Sequence, residues 1–143
     1  MRRVLLASLG CWLALAGCQA PSGRRDPRED LAPLSLGAAA MIAGDMANRF
    51  SEQFPTAAGT LALPDAPSPF GTALEASLKG SGYAVVSGPK HDSNAIALSY
   101  ALDRSEEGVL ASLSTRNLRI ARLYALSNSG AVPTSPVSVM AVK

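Results

Sequence analysis

The first eighteen residues, MRRVLLASLGCWLALAGC, decide how much of this chain has to fold and with which chemistry. Arg2 and Arg3 supply a basic start. An apolar run from Val4 to Ala16 follows, broken only by Ser8, Gly10 and Cys11, and small residues then lead to Cys18. That order describes a secretory signal, which is removed from the mature protein. The apolar run falls short of the roughly 20 residues that a membrane-spanning helix needs. Cleavage before Cys18 leaves residues 18–143 to fold, enough for one domain and too few for two.

Leu15-Ala16-Gly17-Cys18 resembles the lipobox of bacterial lipoproteins. The resemblance implies that the Cys18 thiol receives a diacylglycerol, that the signal is cut before it, and that the new amino group is acylated. Small side chains at Ala16 and Gly17 suit a protease that must hold the chain close to the scissile bond. Several acyl chains on one residue anchor stably, where a single chain binds only marginally. A plain secreted protein, cut elsewhere and carrying Cys18 as a free thiol, is the alternative. Gln19 stands where an aspartate would resemble an inner-membrane retention signal, which favours the outer membrane, facing the periplasm. With Cys11 discarded and Cys18 acylated, no intrachain disulfide can form, although that compartment permits them. Stability then rests on packing.

The formal charge of +2 is inflated by the signal. Losing Arg2 and Arg3 takes thirteen basic residues to eleven, against eleven acidic ones. A balanced chain lacks the basic stripe of a nucleic-acid-binding protein, so no direct nucleic-acid binding is expected. Arg24, Arg25 and Arg28 sit among Asp26, Glu29 and Asp30, which cancel them. The stretch from Gln19 to Pro33 is polar, charged and proline-punctuated, and reads as a flexible tether. The predicted layout is a signal over 1–17, an acylated Cys18 with its tether over 18–33, and a periplasmic domain over 34–143.

Within that domain, Leu34 to Gln53 predicts a helix capped by Ser35. Ala39, Ala43, Met46 with Ala47, and Phe50 recur at spacings of three and four and form one apolar stripe. Asp45, Asn48, Arg49 and Glu52 fall mostly elsewhere on the helix surface. Thr60–Leu63 is a short strand. Ser68 followed by Pro69 starts a second helix through Phe70, Leu74 and Leu78, with Glu75 and Lys79 as an i,i+4 pair. Strands follow at Tyr83–Ser87, Ala95–Leu102, Val109–Ser114 and Asn117–Leu126, with a polar connection over Asp103–Gly108. Asn117–Leu126 admits a helix, but its β-branched and aromatic residues between turn signals favour a strand. Ser127-Asn128-Ser129-Gly130 is a hairpin-type turn, and a last strand runs from about Pro136 to Val142, its start at an edge. Helices first and closely linked strands later predict an α+β domain: two N-terminal helices packed on a mostly antiparallel sheet.

Several short motifs in this domain carry a family resemblance. They are Phe54-Pro55-Thr56-Ala57, Phe70-Gly71-Thr72-Ala73-Leu74, Gly82-Tyr83-Ala84-Val85 and Arg122-Leu123-Tyr124. With the lipobox and the chain length, they resemble the TrbH family of conjugal transfer lipoproteins, over roughly Gly37 to Val142. The sequence departs from that pattern in having one proline at Pro55 and Ser81 before Gly82. The resemblance implies a lipid-anchored envelope component that helps assemble or stabilise a conjugative type IV secretion channel. Its partners would be membrane lipid through Cys18 and other envelope proteins of that system, and no enzymatic activity is implied. A free-standing envelope lipoprotein that binds a small ligand or another envelope protein, for surface exclusion or maintenance, is the second reading.

The residue inventory agrees with a protein that binds rather than catalyses. His91 is the only histidine, in the polar loop Gly88–Asn94. His91, Asp92 and Ser93 are adjacent, and neighbours in sequence rarely point at one another as a catalytic triad requires. One histidine and no spare cysteine make a zinc site improbable. Asp103, Glu106 and Glu107 lack the spacing of a calcium loop, and Gly80-Ser81-Gly82 is no phosphate loop. No cofactor is expected. The surfaces left for binding are the last strand, whose edge can accept a partner's strand, the exposed part of the Ala-rich helix, and Arg119 and Arg122, which can pair with acidic groups on a partner.

Overall fold

The computed structural model describes residues 34–65, 68–88 and 93–143. The signal, Cys18, the tether, and His91 with Asp92 lie outside the described residues. Helix α1 spans Leu36–Gln53, and Ser35 caps it by accepting a bond from the Ala38 N–H. Gly44 does not interrupt it. The chain leaves at Phe54, where Pro55 follows, and takes one 3-10 turn over Thr56–Ala58. Strand β1 (Leu61–Leu63) precedes helix α2 (Pro69–Gly80), which starts at Ser68 with the Gly71 N–H bonded to the serine hydroxyl. Then come β2 (Val85–Ser87), β3 (Ile96–Ala97), β4 (Ser99–Ser105), β5 (Gly108–Ser114), β6 (Leu118–Ser127), β7 (Gly130–Pro133) and β8 (Ser138–Ala141).

The larger sheet is antiparallel throughout, in the order β4-β5-β6-β7, with β8 also on β6. The α+β class expected from the element order is therefore what forms. The smaller sheet differs from expectation. Strands β2, β1 and β3 are parallel, because α2 carries the chain over between β1 and β2. The predicted strand Ala95–Leu102 is shared between the sheets: the Leu98 N–H still bonds the Ala62 carbonyl of β1, and from Ser99 the chain pairs with β5. The predicted connection over 103–108 is mostly strand, since Ser105 opposes Gly108 and only Glu106 and Glu107 turn the hairpin. Strand β7 was not expected, because Pro133 and Pro136 mask four residues that pair along the end of β6.

α1 is the centre of the core. Its buried positions are Ala38, Ala39, Ile42, Ala43, Met46, Ala47 and Phe50, a wider face than one stripe. That width lets one side meet α2 while the other lies on β5, β6 and β7. Alanines along it allow close approach, and the sheet answers with Val109, Ala111, Leu113, Ile120 and Tyr124. Burying each large apolar side chain contributes about 1.5–3 kcal/mol.

The short motifs of the sequence turn out to be joints of this core. Phe54 stacks on Phe50 with ring centroids 5.0 Å apart, and Tyr83 meets Phe50 at 5.8 Å. The Tyr83 hydroxyl donates to the Phe54 carbonyl, tying the end of α1 to the chain entering β2. Phe70 of α2 packs on Tyr100 of β4 at 5.2 Å.

Candidate functional site

Side chains on β6 alternate between faces, so Ile120, Arg122 and Tyr124 all point toward α1. A cation there requires a partner, and Asp45 supplies it. Its Oδ2 accepts from Arg122 Nη1 at 2.8 Å and from the Tyr124 hydroxyl at 2.5 Å. Arg49, one helical turn on, brings Nε to 3.6 Å from Asp45 Oδ1, and its Nη1 bonds Glu52 at 2.7 Å. Arg122 also donates from Nε to the Ser135 carbonyl at 2.8 Å. The expectation that Arg122 can serve a partner is thereby corrected: its guanidinium is bonded inside the domain, to Asp45 and to Ser135. Asp45, read as a surface residue of α1, is half-buried beneath the sheet.

This clasp has a consequence at the sheet edge. β7 and β8 are two halves of one edge strand along β6, parted by residues 134–137. In the gap the Leu123 N–H finds the Ser135 hydroxyl instead of a backbone carbonyl, and the Thr134 N–H bonds Leu123. Arg122 holds the same segment through Ser135. One salt bridge therefore joins α1, β6 and the break between the edge strands.

β8 itself is open. All four residues are exposed, and Val139, Met140 and the following Val142 are large apolar side chains in solvent. The strand alternates, with Val139 on the α1 side of the sheet and Met140 on the other. Val137 packs on the core, whereas Val139 lies past the cover of α1. Arg119, opposite Met140, is exposed and makes no ion pair among the described residues.

A cleft of about 190 Å³ opens where β1 and β2 end, lined by Asp65, Thr72, Glu75, Ser87 and Tyr100. Its Glu75 is already used internally. Glu75 accepts from Lys79 at 2.6 Å and from Ser87 at 2.9 Å, and these bonds, the lysine's foremost, hold its carboxyl below the usual range. Among the described residues no group of three or more His, Cys, Asp or Glu could hold a metal, and no helix is long and apolar enough to cross a membrane. Ser93 is exposed, and its sequence neighbours His91 and Asp92 lie outside the described residues.

Burial raises the pKa of both Tyr83 and Tyr124, and for Tyr124 the bond to Asp45 adds to it. In the unfolded chain these phenols ionise near the ordinary value of 10.0; in the fold they stay neutral above it. Their contribution to stability is complete below that pH and is lost as pH rises beyond it. The unfolding free energy from urea titration should therefore fall above about pH 10, by up to about 1.4 kcal/mol per pH unit per phenol. Phenolate absorbance from these two should appear together with unfolding, and Tyr124→Phe should shallow the slope. Free titration of Tyr83 and Tyr124 in the folded protein would contradict this.

The fold is a small α+β domain with one open, uncharged sheet edge. The comparisons are more particular. The family model described as conjugal transfer protein TrbH matches residues 22–143. A probable conjugal transfer protein TrbH from Sinorhizobium fredii is 39% identical over 144 residues, covering 96% of this chain and 97% of that protein. No solved structure matches. The chain belongs to the TrbH family. The resemblance read from Phe54-Pro55, Gly82-Tyr83 and Arg122-Leu123-Tyr124 is borne out, and with it a role in conjugal transfer.

Proposed function

We propose that the protein is acylated at Cys18, held at the outer membrane facing the periplasm, and docks its domain on other envelope proteins of a conjugative type IV secretion channel, supporting assembly or stability of that channel. The observation that carries docking is the open, uncharged β8 edge in a domain that belongs to a conjugal transfer family. Anchoring is supported by the sequence: a basic start, a short apolar run and Leu15-Ala16-Gly17-Cys18, followed by Gln19. Acylation fixes the height of the domain, residues 19–33 give it reach, and confinement to a surface raises its effective concentration toward neighbours there. The mechanism is mechanical and requires no cofactor.

Cys18→Ser tests the anchoring. The variant should accumulate as an unprocessed precursor or a soluble protein, and DNA transfer by cells that carry it should fall. Normal processing and normal fractionation with the outer membrane would overturn the lipid anchor.

A further inference from the structure

The free edge of β8 differs from the other edge of its sheet. β4 carries Asp103 and Arg104, and charged side chains on an edge strand discourage pairing with another chain. β8 carries Ser138, Val139, Met140 and Ala141, with no charge and no proline within it. Its hydrogen-bonding phase is fixed. The Val142 N–H donates to the Asn117 carbonyl, so the backbone groups of Met140, two residues earlier, also face β6. Those of Val139 and Ala141 face away, and no strand meets them among the described residues.

The charge beside this edge has one sign. Glu107 is the last acidic residue of the chain, and Arg116, Arg119, Arg122 and Lys143 follow it. Arg122 is neutralised by Asp45. Arg116, Arg119 and Lys143 are exposed and make no ion pair among the described residues. Leu118 opposes Ala141 and Asn117 bonds Val142, so the ladder ends where Arg116 and Asn117 turn the chain from β5 into β6. An opposite charge brought beside the exposed Arg119 across a strand pair is favourable.

We propose that β8 accepts an extended segment of another envelope protein as a further antiparallel strand, and that this segment alternates apolar with acidic side chains. Its backbone bonds Val139 and Ala141. Its apolar positions lie on the α1 side of the sheet, beside Val139, and its carboxylates lie on the other side, beside Met140, where Arg119 stands. This deepens the docking reading and rests on it, but it does not depend on acylation of Cys18. A second copy of this chain would bring cations against cations, which disfavours self-pairing at this edge.

The test uses the full chain in detergent and two labelled probes: a peptide alternating valine with glutamate, and its valine–lysine counterpart. The glutamate probe should bind saturably, at least about tenfold more tightly than the lysine probe, and should weaken with salt. Ala141→Pro removes an outward N–H and should abolish binding with little change in melting temperature, because proline is tolerated where the N–H of an edge strand faces solvent. Met140→Pro removes an N–H that faces β6 and should lower the melting temperature. Arg119→Glu should weaken the glutamate probe at least about fivefold. Equal affinity for both probes, or undiminished binding to a folded Ala141→Pro variant, would overturn the proposal. So would concentration-dependent dimers that Ala141→Pro abolishes, which would assign the edge to a second copy. Fractionation of Cys18→Ser is read separately, so failure of the anchor and failure of the edge are distinguishable.

Discussion

Gly108→Ala should destabilise the domain by about 3–5 kcal/mol, a large share of the roughly 5–15 kcal/mol that holds a domain of this size folded. Gly108 closes the two-residue turn between β4 and β5 with φ at +140°, a conformation that L side chains rarely adopt. Space is the harder problem. A Cβ there would lie 2.0 Å from the Tyr124 carbonyl oxygen and 3.2 Å from the Ala125 Cα, which are backbone and cannot rotate away. Relief requires β5 and β6 to part at the residue whose hydroxyl bonds Asp45. Melting temperature should fall by roughly 15 °C or more. Gly130, in the equivalent position of the β6–β7 turn at φ +149°, is the control. The atom that a Cβ would meet there is the Met41 sulfur, at the end of a flexible side chain, so Gly130→Ala should cost less. Equal effects at the two glycines would refute the backbone collision.

The second large effect belongs to the clasp. Asp45→Ala leaves the Arg122 guanidinium and the Tyr124 hydroxyl without their shared acceptor, at side-chain exposures of only 17% and 24% for the Arg122–Asp45 pair. Removing one partner of a pair this sheltered should cost about 2–3 kcal/mol, short of a fully buried pair because solvent still reaches it. Arg122→Met carries a similar cost, and the double variant should lose less than the sum of the two. Hydrogen exchange should quicken first across residues 134–141, because Arg122 also holds the Ser135 carbonyl in the gap between β7 and β8. Additive losses would mean that the two residues act independently. If the edge is the docking site, DNA transfer should fall in these variants at temperatures where the domain is still folded.

Local signals located most of the elements. Ser35 and Ser68 cap their helices as read, since a hydroxyl before a helical run has an orphan N–H to satisfy whatever lies elsewhere. The Glu75–Lys79 pair forms for the same local reason. Tyr83–Ser87 was placed as strand, but the ladder starts at Val85 because the Tyr83 side chain is committed to Phe54 and Phe50. The parallel pairing of β1 with β2 and β3 was not legible, since runs of two or three residues carry no direction. The Asp45–Arg122 pair spans 77 residues of sequence, and only the placing of Arg122 and Tyr124 on one face of a strand hinted that both need a polar partner inside.

Sequence alone decided the α+β order, the caps and the family to which the chain belongs; these follow from local chemistry and from motifs that need no distant partner. Tertiary structure alone decided which arginine is spent and which is open. Arg122 and Arg119 lie three apart on one strand, and the odd interval puts them on opposite faces. The helix covers one face and brings a carboxylate to it; the other, beside an unpaired edge, is left to whatever binds there.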